Sequence, residues 1–158
     1  LRRQRQMCIR DRTQCIVDIY SRYLFETAVF EQSQNKFLMA DDLKQIMLDA
    51  QKKTYGDGLD PECMHPYMWV CKGHYYSSGL SYYNFPYAFG NLFALGLYSL
   101  YKKEGEAFVP KYNKMLASTG CHSIEEVAAT MGIDVTKPDF WRSSLKLIEA
   151  EVEEFCAL

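Results

Sequence analysis

One histidine followed by closely spaced tyrosines is the main concentration of chemistry in this sequence. Residues 74–90 read HYYSSGLSYYNFPYAFG, with a single histidine among five tyrosines and two phenylalanines. A buried phenol needs a hydrogen-bond partner that phenylalanine does not, so this composition suits the lining of a polar recess better than a dry core. Tyr83 and Tyr87 stand four residues apart and share a face if the segment is helical. Tyr76 lies across the Ser77-Ser78-Gly79 loop from them. His74 with these hydroxyls supplies donors of the kind that hold a peptide carbonyl, or the anion formed when water attacks it. The competing reading of the same residues is amphipathic packing between helices, with His74 a satisfied core histidine.

The other titratable residues do not assemble into a second site. His65, His74 and His122 never pair as HxxxH, and no HExxH occurs, so the sequence offers no metal ligand set. His122 precedes a capping box and reads as a loop residue, and His65-Pro66 as packing or capping. Arg22 and Glu26 are four residues apart and read as an intrahelical ion pair. There is no Gly-rich phosphate loop, nucleophile elbow or Cys-His signature. Cysteines 8, 15, 63, 71, 121 and 156 form no CxxC pair. With no secretory apolar stretch, they read as reduced thiols of a cytoplasmic protein.

These residues need a scaffold, and the composition supplies one. The chain has 158 residues, the length of one domain, with 48% hydrophobic and 24% charged residues, enough to bury a core. A net charge of −2 is too near zero to suggest nucleic-acid binding by bulk electrostatics, and no nucleic-acid partner is expected. Residues 82–101 carry no charge and are long enough to span a bilayer. Asn84, Pro86, Asn91 and the tyrosines there suit lipid poorly, so the segment reads as a buried helix and no membrane partner is expected.

The start differs from the rest. Arginine occupies positions 2, 3, 5, 10 and 12, and afterwards only positions 22 and 142. The string QRQMCIRDR resembles translated adapter sequence. Residues 1–12 are therefore expected to be foreign to the fold, with the domain in residues 13–158 and the chain cut at that junction.

From Thr13 onward the pattern is all-α. A first helix is expected over about 15–38, with Ile16, Ile19, Tyr23, Phe30 and Phe37 as its apolar stripe. A second is expected over about 43–55, capped by Asp41 and stopped by Gly56-Asp57-Gly58. Asp60-Pro61 opens a short helical stretch toward Cys71. A long helix covers about 83–103, with Pro86 in its first turn. Gly90 to Gly96 within it reads GNLFALG and suits the close approach of another helix. Further helices cover about 108–117, a short one behind the capping box Ser123-Ile-Glu-Glu126, and one from near Pro138 to Phe155. Phe140, Leu145, Ile148, Val152 and Phe155 form the stripe of the last. Strand signals and internal repeats are absent.

At three places the chain resembles a known family. SRYLFETAVFE at 21–31, KGHYYSSGLSYYNFPYAFGNLFALGLYSLY at 72–101 and the closing helical region resemble the C-terminal part of the oligoendopeptidase F family, zinc oligopeptidases of the M3 group. The resemblance covers about residues 13–155. It implies the helical C-terminal part of a clam-like catalytic domain that admits short peptides and excludes folded proteins. It implies a zinc ion held by an HExxH helix and a later glutamate, none of which is in this sequence. It further implies that His74, Tyr83 and Tyr87 are catalytic, binding the substrate and stabilising the oxyanion. Tyr76 is implied as an additional substrate contact and Gly79 as the hinge of a loop closing over the peptide. On that reading the partners are short peptides and the missing N-terminal part of the enzyme, and this segment alone does not cleave peptides. The alternative is a non-catalytic helical peptide-binding module.

Overall fold

The computed structural model of the chain describes residues 2–157, with the side chains of Arg2, Gln4, Arg5, Cys8, Arg10 and Thr13 left aside. Leu1 and Leu158, the outer ends of the expected 1–12 and 13–158 segments, and the Cys8 thiol lie outside the description. Among the described residues there is no strand, and the fold is all-α as expected. Helices α1 (Arg2–Thr13), α2 (Ile19–Ser33) and α3 (Ala40–Tyr55) come first, with a π-helical turn over Gln14–Asp18 between α1 and α2. Two 3-10 turns follow, Pro61–Cys63 and Gly73–Tyr76. Helices α4 (Phe85–Glu104), α5 (Phe108–Ser118), α6 (Ile124–Ala129) and α7 (Pro138–Cys156) complete the chain. No helix among the described residues is long and apolar enough to cross a membrane.

The arginine-rich start has no apolar period, yet it forms α1, because Arg, Gln and Met favour helix on propensity alone. One expectation about the first part is corrected. The helix expected to reach residue 38 ends at Ser33, and Phe37 is 87% exposed. Of the expected stripe Ile19 is buried, while Tyr23, Phe30 and Phe37 are exposed; Ser21, Phe25 and Glu26 complete the inward face.

The residues divide into two compact units, one of residues 10–89 and one of residues 1–9 with 90–158. In the first, α2 packs on α3. Phe25, Ile46, Met47 and Ala50 form its core, with Leu24, Val29, Met68, Trp69 and Tyr75 against them. Helix α3 begins at Ala40, and Asp42 rather than Asp41 caps it, accepting the Met39 N–H at 2.9 Å. Gly56 ends it with φ +57°, a conformation that suits a residue without a Cβ. The stretch from Asp60 toward Cys71 is one 3-10 turn followed by turns. It is tied to α3 by the buried Gln51, whose amide donates to the His65 carbonyl at 2.9 Å and accepts the His65 N–H at 3.1 Å.

In the second unit, Leu97, Phe108, Met115, Val127, Ala128 and Ile133 form the core. The capping box is present: Glu126 N–H donates to Ser123 Oγ at 3.3 Å and Ser123 N–H to Glu126 Oε2 at 2.9 Å. Helix α7 meets α4 through Ser144, which is buried and donates from Oγ to the Leu92 carbonyl at 2.7 Å, and through Phe140. Leu145 and Val152 of the expected stripe are exposed, so the inward face of α7 is centred on Phe140 and Ser144.

This close approach depends on Gly96, as the GNLFALG spacing suggests. A Cβ at Gly96 would stand 2.5 Å from Phe140 Cε2 and 2.9 Å from Ser144 Oγ. Gly96→Ala is expected to destabilise the protein by about 1–3 kcal/mol through overpacking, outweighing the roughly 1 kcal/mol that alanine gains in helix propensity. Gly90→Ala, at a position with nothing within 4 Å of the added methyl, is the control and is expected to be neutral or stabilising. Chemical denaturation of the two variants checks this.

Candidate functional site

The site is built on the turn Gly73–Tyr76, whose consecutive side chains point to different surroundings. Tyr75 enters the core, its ring 5.3 Å from Phe25 between centroids, and its hydroxyl donates to the Arg22 carbonyl at 3.4 Å. Burial pushes its phenol up, so it stays protonated and a donor. His74, one residue earlier, is half-buried with its ring centroid 4.2 Å from that of Tyr75. Tyr76 turns outward, 64% exposed, with its hydroxyl 3.4 Å from the Val70 carbonyl.

His74 opens onto a cleft of about 490 Å³, of a size that holds a small ligand or a peptide segment. Gln14 and Cys15 of the π-helical turn line it, with Ile19 and Arg22 of α2, then His74, Leu80, Tyr83 and Tyr87. The structure therefore brings His74, Tyr83 and Tyr87 together. It does not bring Tyr76 to the same cleft. Gly79 is exposed, lacks a positive φ and has nothing within 4 Å of where a Cβ would stand, so the local structure does not require glycine there.

His74 Nε2 is buried and has no hydrogen-bond partner among the described residues. A buried polar atom left unpaired costs about 1–3 kcal/mol, so an arrangement that gives it a partner is favoured. Burial lowers the imidazole pKa, Glu26 opposes this, and Arg22 and Lys72 add to it. The ring is then neutral at pH 7, able to donate from one nitrogen. Because the folded-state pKa lies below the ordinary 6.5, the unfolded chain takes up the proton first as pH falls. Stability contributed by neutral His74 is thus complete above about 6.5 and declines as pH drops from there through the folded-state value. Wild type is expected to lose more stability than His74→Gln between pH 7.5 and 5.5, measured by denaturant titration.

The pair expected between Arg22 and Glu26 is not formed. Arg22 instead pairs one turn back with Asp18, a buried residue. Glu26 is 5% exposed and accepts the Tyr82 backbone N–H at 2.6 Å and the Asn84 side-chain amide at 3.2 Å. Asp18 is not singled out by the sequence, which marks Glu26 only as a partner for Arg22 and Asn84 only as a residue that suits lipid poorly. For Asp18 and Glu26 the remaining signal is polarity at positions that the helix period turns inward, whereas Asn84 lies in the turn before α4. His65 is held by Gln51 as described, and His122 sits exposed beside Glu126.

Among the described residues no three His, Cys, Asp or Glu side chains converge into a group able to hold a metal ion. The described residues therefore offer no set that fits the zinc implied by the resemblance.

Over 131 residues, 82% of its length, the chain is 28% identical to the oligopeptidase PepF of Bacillus subtilis (strain 168). It spans only 19% of that protein, about a fifth. The match is distant and relates the chain to a peptidase. No protein-family model and no solved structure matches the chain.

Proposed function

We propose that this chain is the C-terminal helical part of an M3-type, zinc-dependent oligoendopeptidase that hydrolyses short peptides in the cytoplasm. In this reading it supplies the groups that meet the peptide, while the metal and its ligands belong to the parent enzyme outside these residues. His74 donates a hydrogen bond to the carbonyl of the bond to be cut, and holds that donor on the negative charge developing on the oxygen. Tyr83, in the turn before α4, and Tyr87, in its first turn, present phenolic donors to the same group or to the adjacent peptide carbonyl. A cytoplasmic setting is supported by the free thiols of Cys15, Cys63, Cys71, Cys121 and Cys156.

The observation that carries the reading is the cleft that His74, Tyr83 and Tyr87 line together. The distant match to PepF supports the choice of peptide as the substrate class.

The test is to obtain the continuous genomic reading frame upstream of Thr13 and assay its product. An in-phase frame with an HExxH helix, whose product cleaves short peptides and spares folded proteins, is the expected result. A frame that starts near Thr13, whose product binds peptides without metal, would replace this reading with a non-catalytic binding module.

A further inference from the structure

Tyr83 is flanked on both sides by residues that a single buried carboxylate holds. Glu26 reaches from α2 to the Tyr82 N–H on one side and the Asn84 amide on the other. Asn84 is 1% exposed, so this grip is made away from water, where charge-assisted hydrogen bonds are strongest. The segment it holds would not rest there unaided. Tyr82 has φ +57°, a left-handed conformation that costs a residue with a Cβ about 1–2 kcal/mol. Its carbonyl accepts the Asn84 N–H at 2.7 Å, and its ring packs 5.6 Å from Tyr23 and 5.5 Å from Phe30. Non-glycine residues persist in such conformations where the surroundings over-determine them, and such places concentrate at functional sites.

We infer that Glu26 is a positioning residue: by gripping Tyr82 and Asn84 it sets the Tyr83 phenol, and the first turn of α4 with Tyr87, against the cleft that holds His74. Glu26 does not line that cleft, so it acts through the tyrosines and touches no ligand. That Tyr83 meets a peptide there rests on the proposed function. That Glu26 sets the ring does not.

The test reads the ring itself. Fluorotyrosine is incorporated at position 83 of the 158-residue chain and followed by fluorine NMR. Glu26→Gln alone is a weak probe, because the Asn84 Oδ1 has no partner among the described residues and the amide can turn over to accept from the new donor. Asn84→Asp is stronger, since it places a carboxylate against Glu26 where a donor stood, and two carboxylates at that spacing cannot both ionise freely. Combining it with Glu26→Gln transposes donor and acceptor while keeping shape.

Asn84→Asp is expected to displace or split the Tyr83 resonance, and the double substitution to return it to the wild-type position. Gln51→Ala, which removes the grip on His65 in the same unit, is expected to lower stability and leave the resonance in place. An unmoved resonance in a folded Asn84→Asp chain, or a double variant that stays displaced, overturns the inference. Should Asn84→Asp alone fail to fold, the double variant decides: a folded chain with the native resonance upholds the grip, and an unfolded one sinks it. None of these outcomes depends on peptide hydrolysis, so a failure here is separate from a failure of the proposed function.

Discussion

His74→Ala in the full-length peptidase proposed here is expected to lower kcat about 10²–10³-fold, the usual cost of removing one oxyanion donor. KM is expected to change little, because a donor aimed at the developing charge contributes mainly in the transition state. The substitution is a clean one structurally. Tyr75, the residue that anchors this turn in the core, is untouched, and its hydroxyl still reaches the Arg22 carbonyl. Removing the imidazole also removes a buried nitrogen that has no partner among the described residues, so the fold loses no hydrogen bond seen at that atom. Tyr83→Phe removes one hydroxyl from the same cleft and should act in the same direction, more weakly if Tyr87 compensates. Bound metal is the second readout, and it is expected to be unchanged in both variants. Loss of metal together with activity would move His74 from the substrate to the metal's surroundings, and an unchanged kcat would remove it from the chemistry.

The helices were legible because their signals are local. Asp60 accepting the Glu62 N–H at 3.0 Å, Pro86 in the first turn of α4, and the Ser123 capping box each work within a few residues of themselves. The facing of the helices was less legible. On α2 the large rings at 23, 30 and 37 suggest a stripe, but Tyr23 and Phe30 are half-exposed and pack on Tyr82, a residue more than fifty positions away. Ile19 of the expected stripe does face the core, but beside Ser21, Phe25 and Glu26 rather than Tyr23 and Phe30.

The site divides in the same way. The concentration of donors around His74 is visible in the sequence because residue types alone mark it. That Tyr76 stays out of its cleft follows from the turn at Gly73–Tyr76, which sends Tyr75 inward and Tyr76 outward, and no pattern in HYY specifies that. The bonding of Glu26 was hidden for a further reason. A carboxylate four residues after an arginine has an obvious local partner, and only the long-range return of the chain at Tyr82 shows that the arginine takes Asp18 instead. Polar groups in the sequence declare their capacity to bond, and tertiary structure decides with what.

Phe25→Ala is the substitution expected to cost the most stability, about 3–5 kcal/mol, the usual range for truncating a buried phenylalanine. Phe25 is 4% exposed and lies among Ile46, Met47 and Ala50. Its ring stacks on Trp69 at 6.2 Å and tilts against Tyr75 at 5.3 Å. Alanine would remove surface from both aromatics at once and leave a cavity that a rigid pair of helices cannot close. Against a total stability on the order of 5–15 kcal/mol this is a large share, and with a urea slope of about 1–3 kcal/mol per molar the midpoint should fall by roughly 1 M or more. Phe30→Ala is the internal comparison, since Phe30 is 39% exposed and should cost far less despite its contact with Tyr82. The same substitution reaches the site, because Tyr75 loses its seat and His74 is its neighbour in a four-residue turn. The His74 resonances are therefore expected to broaden or split in any folded Phe25→Ala population. A loss below about 1 kcal/mol would mean that the inward face of α2 is not the one that buries Phe25, and with it the placement of the whole histidine turn would fall.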